Sequence, residues 1–154
     1  MRFILFLLLF ISLTYAQKLR VKADYFESDE KKGVSVFTGH VHVTKGEDDL
    51  KAKKLTIYTD KNRVPIKYVA EGNVKFKLQD DNKKRYKGRA QKVIYLPIKK
   101  EYHFFKDVHL IQLGEEKEVQ GDKVIFSAKT GKSYAKGVHN NPVIMTFDIN
   151  EKTK

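Results

Sequence analysis

The sequence predicts an all-β protein in which repeated strand pairs stack into a folded antiparallel sheet. Three observations predict it. Apolar and polar residues alternate over long stretches, turn residues break the chain at short intervals, and one strand pair returns several times.

The alternation sets Val, Ile, Phe, Tyr and Thr against Lys, Glu and Gln, the chemistry of a pleated, half-buried strand. In the clearest run Ile66, Tyr68, Ala70, Gly72, Val74, Phe76 and Leu78 share one parity, with mainly Lys67, Glu71, Asn73, Lys75 and Lys77 between them. Successive side chains of a strand point to opposite faces, so this segment has one apolar and one wet face. It is long for one flat strand, and Gly72 marks a bend. Turn chemistry lies at Ser28–Gly33, Lys45–Asp48, Asp60–Asn62, Gln79–Asn82, Pro97, Leu113–Glu115, Lys129–Gly131 and Asn140–Pro142, a spacing that fits a sandwich, a barrel or a β-solenoid.

The repeat has two elements. Gly39-His40-Val41-His42-Val43 returns as Gly72-Asn73-Val74-Lys75-Phe76 and, degraded, as Lys106-Asp107-Val108-His109-Leu110. The central valines stand 33 and then 34 residues apart. The second element, Leu50 to Ile57, is echoed by Gly88 to Tyr95 and by Val119 to Phe126, and Val21 to Phe26 opens the series. In this element a small residue (Ala23, Ala52, Ala90, Gly121) is followed three positions later by a large apolar one (Phe26, Leu55, Val93, Val124). Three is odd, so the apolar face switches sides each time. A bulge or corner at the small residue accommodates that slip. Repeated in every unit, it folds the sheet into two facing halves around a long apolar interior.

The first sixteen residues have the form of a secretory signal. Arg2 supplies the positive start, Phe3–Leu13 is apolar apart from Ser12, and Thr14-Tyr15-Ala16 fits a signal-peptidase site, predicting cleavage before Gln17. The alternative is a retained anchor, although a spanning helix wants about 20 apolar residues. The expected domain is then 17–149, with a polar tail at 150–154. There is no cysteine, which removes disulfides, thiolate metal sites and thiol nucleophiles. The formal net charge of +12 favours anionic partners such as an acidic membrane face or a phosphorylated lipid. Export argues against nucleic acid. The plain alternative is that the lysines solubilise exposed strands.

Val36–Gly46 followed by Leu50–Leu55, together with Ala70-Glu71-Gly72-Asn73-Val74 and Val119–Val124, resembles the OstA/LptA family of periplasmic lipopolysaccharide (LPS) transport proteins. The resemblance runs from about Leu19 to about Gly137. It implies an open, twisted β-jelly roll whose copies stack head to tail into a bridge across the periplasm. Lipid A acyl chains would ride in its interior, from an LptC-like inner-membrane protein at the N-terminal edge to an LptD-like outer-membrane protein at the C-terminal edge. It implies no cofactor and no catalysis. Two rival readings remain: an LptC-like protein that keeps residues 3–16 as its anchor, and a structural β-repeat protein without lipid cargo.

On this resemblance the expected lipid-facing residues are Leu19, Val21, Phe37, Val41, Val43, Leu55, Ile57, Val74, Phe76, Val93, Tyr95, Leu110, Val124 and Phe126. A packed core has the same sequence signature, so the lipid role rests on the family. Arg20, Lys22, Lys75 and Lys77 are expected to meet lipid A phosphates at the groove mouth, the alternative being a solvated face. His40 and His42, two positions apart, share a strand face, but two ligands without a third do not make a metal site. No Ser-His-Asp order, carboxylate pair or phosphate-binding glycine loop stands out, so no enzyme is expected. The N-terminal strand and Val143–Phe147 are the expected sheet edges, where strand addition can couple subunits.

Overall fold

The structure is a computed structural model and describes residues 18–149. The expected signal and the tail at 150–154 lie outside the described residues. Among the described residues ten strands form: β1 (Leu19–Lys22), β2 (Tyr25–Asp29), β3 (Val34–Lys45), β4 (Asp48–Thr59), β5 (Pro65–Gln79), β6 (Arg85–Leu96), β7 (Glu101–Gln112), β8 (Lys117–Ser127), β9 (Ser133–Lys136) and β10 (Ile144–Thr146). All pairings are antiparallel, and they make one sheet in the order β1-β3-β4-β5-β6-β7-β8-β10. β2 runs on from β1 along the same edge of β3, and β9 shares β8 with β10. The sheet is open, with β1 and β2 at one edge and β9 and β10 at the other.

Each long strand is bent near its middle. The pairing shifts between Thr38 and Val41, between Glu71 and Val74, and between Phe105 and Val108. These breaks line up across the sheet and divide it into two arms. The first arm holds β1, the C-terminal halves of β3, β5 and β7, the N-terminal halves of β4, β6 and β8, and β10. The second arm holds β2, the remaining halves and β9.

The corner differs in one respect from the sequence reading. The extra residue lies in the first repeat element rather than beside the small residue of the second. Gly39-His40, Gly72-Asn73 and Lys106-Asp107 hold paired left-handed conformations, with φ of 80° and 47°, 86° and 43°, and 62° and 48°. The small residues stand opposite the valines that follow, in the pairs Val41–Ala52, Val74–Ala90 and Val108–Gly121. The partner strand thus supplies the bulge, and the small side chain makes room for a buried valine where the arms converge. In the outermost strands the corner opens into a break. At Ala23-Asp24 the Asp24 N–H donates to the Gly39 carbonyl at 2.9 Å, and the other break spans residues 137–143. The long run in β5 keeps its apolar face through the Gly72 bend, but its first member, Ile66, sits exposed at the rim.

The core lies between the arms and runs across all the long strands. Phe76 of one arm stacks on Phe104 of the other, with ring centroids 4.6 Å apart, and Tyr86 packs on Phe126 at the same separation. Phe104 and Val74 are completely buried. Fully burying one such side chain contributes about 1.5–3 kcal/mol.

Candidate functional cleft

The strand pleat decides which side chains reach the interior. Val41, Leu55, Ile57, Val74, Phe76, Val93, Leu110, Val124 and Phe126 are buried in the single core cluster. Val21, Phe37, Val43 and Tyr95 are partly buried against it. Leu19 remains 40% exposed at the β1 edge. All fourteen apolar positions singled out in the sequence therefore line one continuous interior or its rim.

The interior is closed unevenly. The arm tips meet beside β5–β8. There the Asp81 N–H donates to the Ala128 carbonyl at 3.1 Å, and Lys100 Nζ pairs with Asp81 Oδ2 at 3.1 Å. Toward β1 the arms part into a cleft lined by Leu19, Val43, Leu50, Leu55, Tyr68, Ala70, Leu78, Val93, Tyr95 and Tyr102. Its free space is about 80 Å³, well below the roughly 300–1,000 Å³ of small-molecule sites. An acyl chain would therefore enter only if the arms moved apart.

Lys45, Asp48 and Asp49 also line this cleft, and Asp48 is the one that bonds across it. Asp48, at the start of β4, accepts a 2.9 Å hydrogen bond from the Gln79 N–H and lies 3.5 Å from the Tyr102 hydroxyl on the opposite arm. Burial raises the Asp48 carboxyl above its ordinary value, and the bond from Gln79 partly offsets this. Tyr102 is raised chiefly by burial and then by the Asp48 charge. Burial likewise raises Tyr68 and Tyr95. Tyr95 lies between the other two, stacked on Tyr102 at 4.4 Å and tilted against Tyr68 at 5.9 Å. The cleft end thus carries an aromatic wall with a hydrogen-bonding acid among its apolar atoms. The sequence reading missed Leu50, Tyr68, Tyr102 and Asp48. Parity alone marks Tyr102 with Phe104, whereas Asp48 looks like an ordinary turn residue.

The four expected phosphate contacts lie on the outer face of the sheet. Lys75 and Lys77 alternate with Val74, Phe76 and Leu78, so they project from the outer face of the first arm. Arg20 and Lys22 alternate with Leu19 and Val21 and do the same. The sheet separates Lys75 and Lys77 from the interior, whereas Arg20 and Lys22 lie on β1, the edge strand beside which the cleft opens, with their side chains on its outer face. His40 and His42 each meet a carboxylate. His40 Nδ1 lies 2.6 Å from Asp24 and His42 Nε2 lies 2.7 Å from Asp49. The Asp24 contact raises the His40 pKa.

An open antiparallel sheet folded over an apolar cleft defines a class of β-jelly rolls whose interior remains reachable from an edge. Within that class, residues 20–132 match the family model described as LptA/(LptD N-terminal domain) LPS transport protein, and the chain belongs to this family. It is 46% identical over 46 residues to the lipopolysaccharide export system protein LptH of Pseudomonas aeruginosa, a match covering 30% of this chain and 26% of that one. The aligned stretch thus spans about a quarter of the curated relative. The crystal structure of LptH, described as the LptA-homologous periplasmic component of the lipopolysaccharide transport device of that organism, superimposes with a TM-score of 0.75. The superposition covers 86% of this chain and 96% of that one at 22% identity. At that identity the likeness establishes the shared fold.

Proposed function

We propose that this chain is a periplasmic LPS carrier that shelters lipid A acyl chains between its two arms and forms part of a bridge from the inner to the outer membrane. The observation that carries this reading is the cleft. It is apolar, it joins the core, and it opens at the sheet edge while the far tips are clasped. Family membership supplies the cargo class. In this reading β1 and β2 join an LptC-like protein or a preceding copy, β9 and β10 join a following copy or an LptD-like protein, and the chain catalyses nothing. Each edge presents unpaired backbone groups that strand addition can satisfy.

Photo-crosslinking amino acids at Leu50, Tyr68 and Tyr95 in living cells test the proposal, with an outward control at Lys67. Capture of LPS at the three cleft positions and none at Lys67 is expected. Silence at all three would overturn the carrier reading and favour a structural role without lipid cargo.

A further inference from the structure

The outer face of the first arm carries a feature that lipid in the interior does not explain. Lys51, Lys75 and Arg89 stand side by side on β4, β5 and β6, and Lys77 faces Lys87 in the neighbouring row. Adjacent strands lie about 4.8 Å apart, and like charges placed directly opposite one another destabilise a sheet. Among the described residues, none of these five cations forms an ion pair. Two of the neighbouring acids pair with histidines, Asp49, opposite Lys77, with His42 and Glu118 with His109, while Asp107 lines the same hollow as Lys75 and Arg89. Lys22 extends the first row beyond His42 at the β1 edge. All five cations are exposed.

Fold stability alone favours alternating signs here. We infer that this face docks on a bilayer surface rich in anionic lipid headgroups. The array is two-dimensional, and side chains stand roughly perpendicular to a sheet, so the charged ends are presented to a plane. Four of the five are lysines, which act as point charges rather than as the fixed fork that reads a single phosphate bidentately. Ile111 and Ile144 lie in the same two rows and place apolar atoms at headgroup level beside the cations. Basic groups near an anionic membrane attract it over about a Debye length. The surface acts independently of whatever the cleft holds.

The test is flotation of the full, natively processed chain with vesicles of phosphatidylglycerol and phosphatidylcholine. Comparison samples use pure phosphatidylcholine vesicles, high salt, and soluble dextran sulfate. Binding to the anionic vesicles alone, abolished by salt, is expected. The triple variant Lys51→Gln/Lys75→Gln/Arg89→Gln should weaken binding roughly a hundredfold, at about a fivefold loss per cation. It should also melt at a higher temperature, because it relieves the cross-strand repulsion. Lys31→Gln/Lys61→Gln/Lys99→Gln removes the same charge from turns of the other arm and should bind like the wild type. Equal losses in the two triples, a lowered melting temperature in the first, binding to pure phosphatidylcholine, or capture of dextran sulfate without vesicle binding would each overturn the inference.

Discussion

At the scale of single residues, the fold depends on three left-handed pairs at the corner. A left-handed conformation costs about 1–2 kcal/mol for a residue with a side chain, and glycine escapes that cost. Gly39 and Gly72 take the first position of their pairs, whereas the third repeat has Lys106 there, with φ of 62°. A Cβ on Gly72 would also lie 2.8 Å from the Lys53 side chain. Gly72→Ala should therefore destabilise the protein by about 1–2 kcal/mol. Lys106→Gly should stabilise it by about 0.5–1 kcal/mol, the strain relieved less the backbone entropy that glycine adds to the unfolded chain. Denaturant midpoints at unchanged slope measure both. A stabilising Gly72→Ala or a destabilising Lys106→Gly would contradict this account of the corner.

At the scale of elements, the two arms meet through polar as well as aromatic contacts, and Asp48 makes the pH-sensitive one. Its carboxyl binds a proton more tightly in the folded protein than in the unfolded chain, because burial raises it above 3.8. The folded state then holds more protons through that window, so this contribution to stability is greatest below 3.8 and falls as pH rises. Asp48→Asn removes the titration. The stability of the variant relative to wild type should grow as pH climbs from 3.8 and level off once Asp48 is ionised in both states. A difference that stays constant with pH would mean Asp48 is not held in a raised state. This contact also shows where sequence reasoning stops. β3 to β8 were legible because alternation is a local signal, and the repeated slip of parity located the corner. The slip does not say which strand of a pair carries the extra residue. The answer lay in backbone conformation, and the third repeat has no glycine to reveal it. The burial of Asp48 depends on Tyr102, 54 residues away, and no local pattern encodes that proximity. β9 (Ser133–Lys136) lacks its own alternation and is a strand because β8 offers it an edge.

At the scale of the whole molecule, the bent sheet separates two kinds of chemistry. Apolar side chains face the space between the arms, while a predominantly cationic array faces outward from the first arm. Lys75 and Lys77, expected at a groove mouth, lie across the sheet from it, because strict alternation with Val74, Phe76 and Leu78 fixes their direction. The interior is closed at one end by the Asp81–Ala128 and Asp81–Lys100 contacts and parts at the other beside β1. Cargo would then enter by separating the arms from the β1 side, displacing contacts such as the Phe76–Phe104 stack progressively rather than all at once. The most direct test compares capture of intact LPS with capture of its fully deacylated saccharide, using purified protein with a photo-crosslinker at Tyr95. The account predicts strong capture of the acylated form and none of the saccharide. Equal capture of both would place the sugar in the cleft and contradict an interior built for acyl chains.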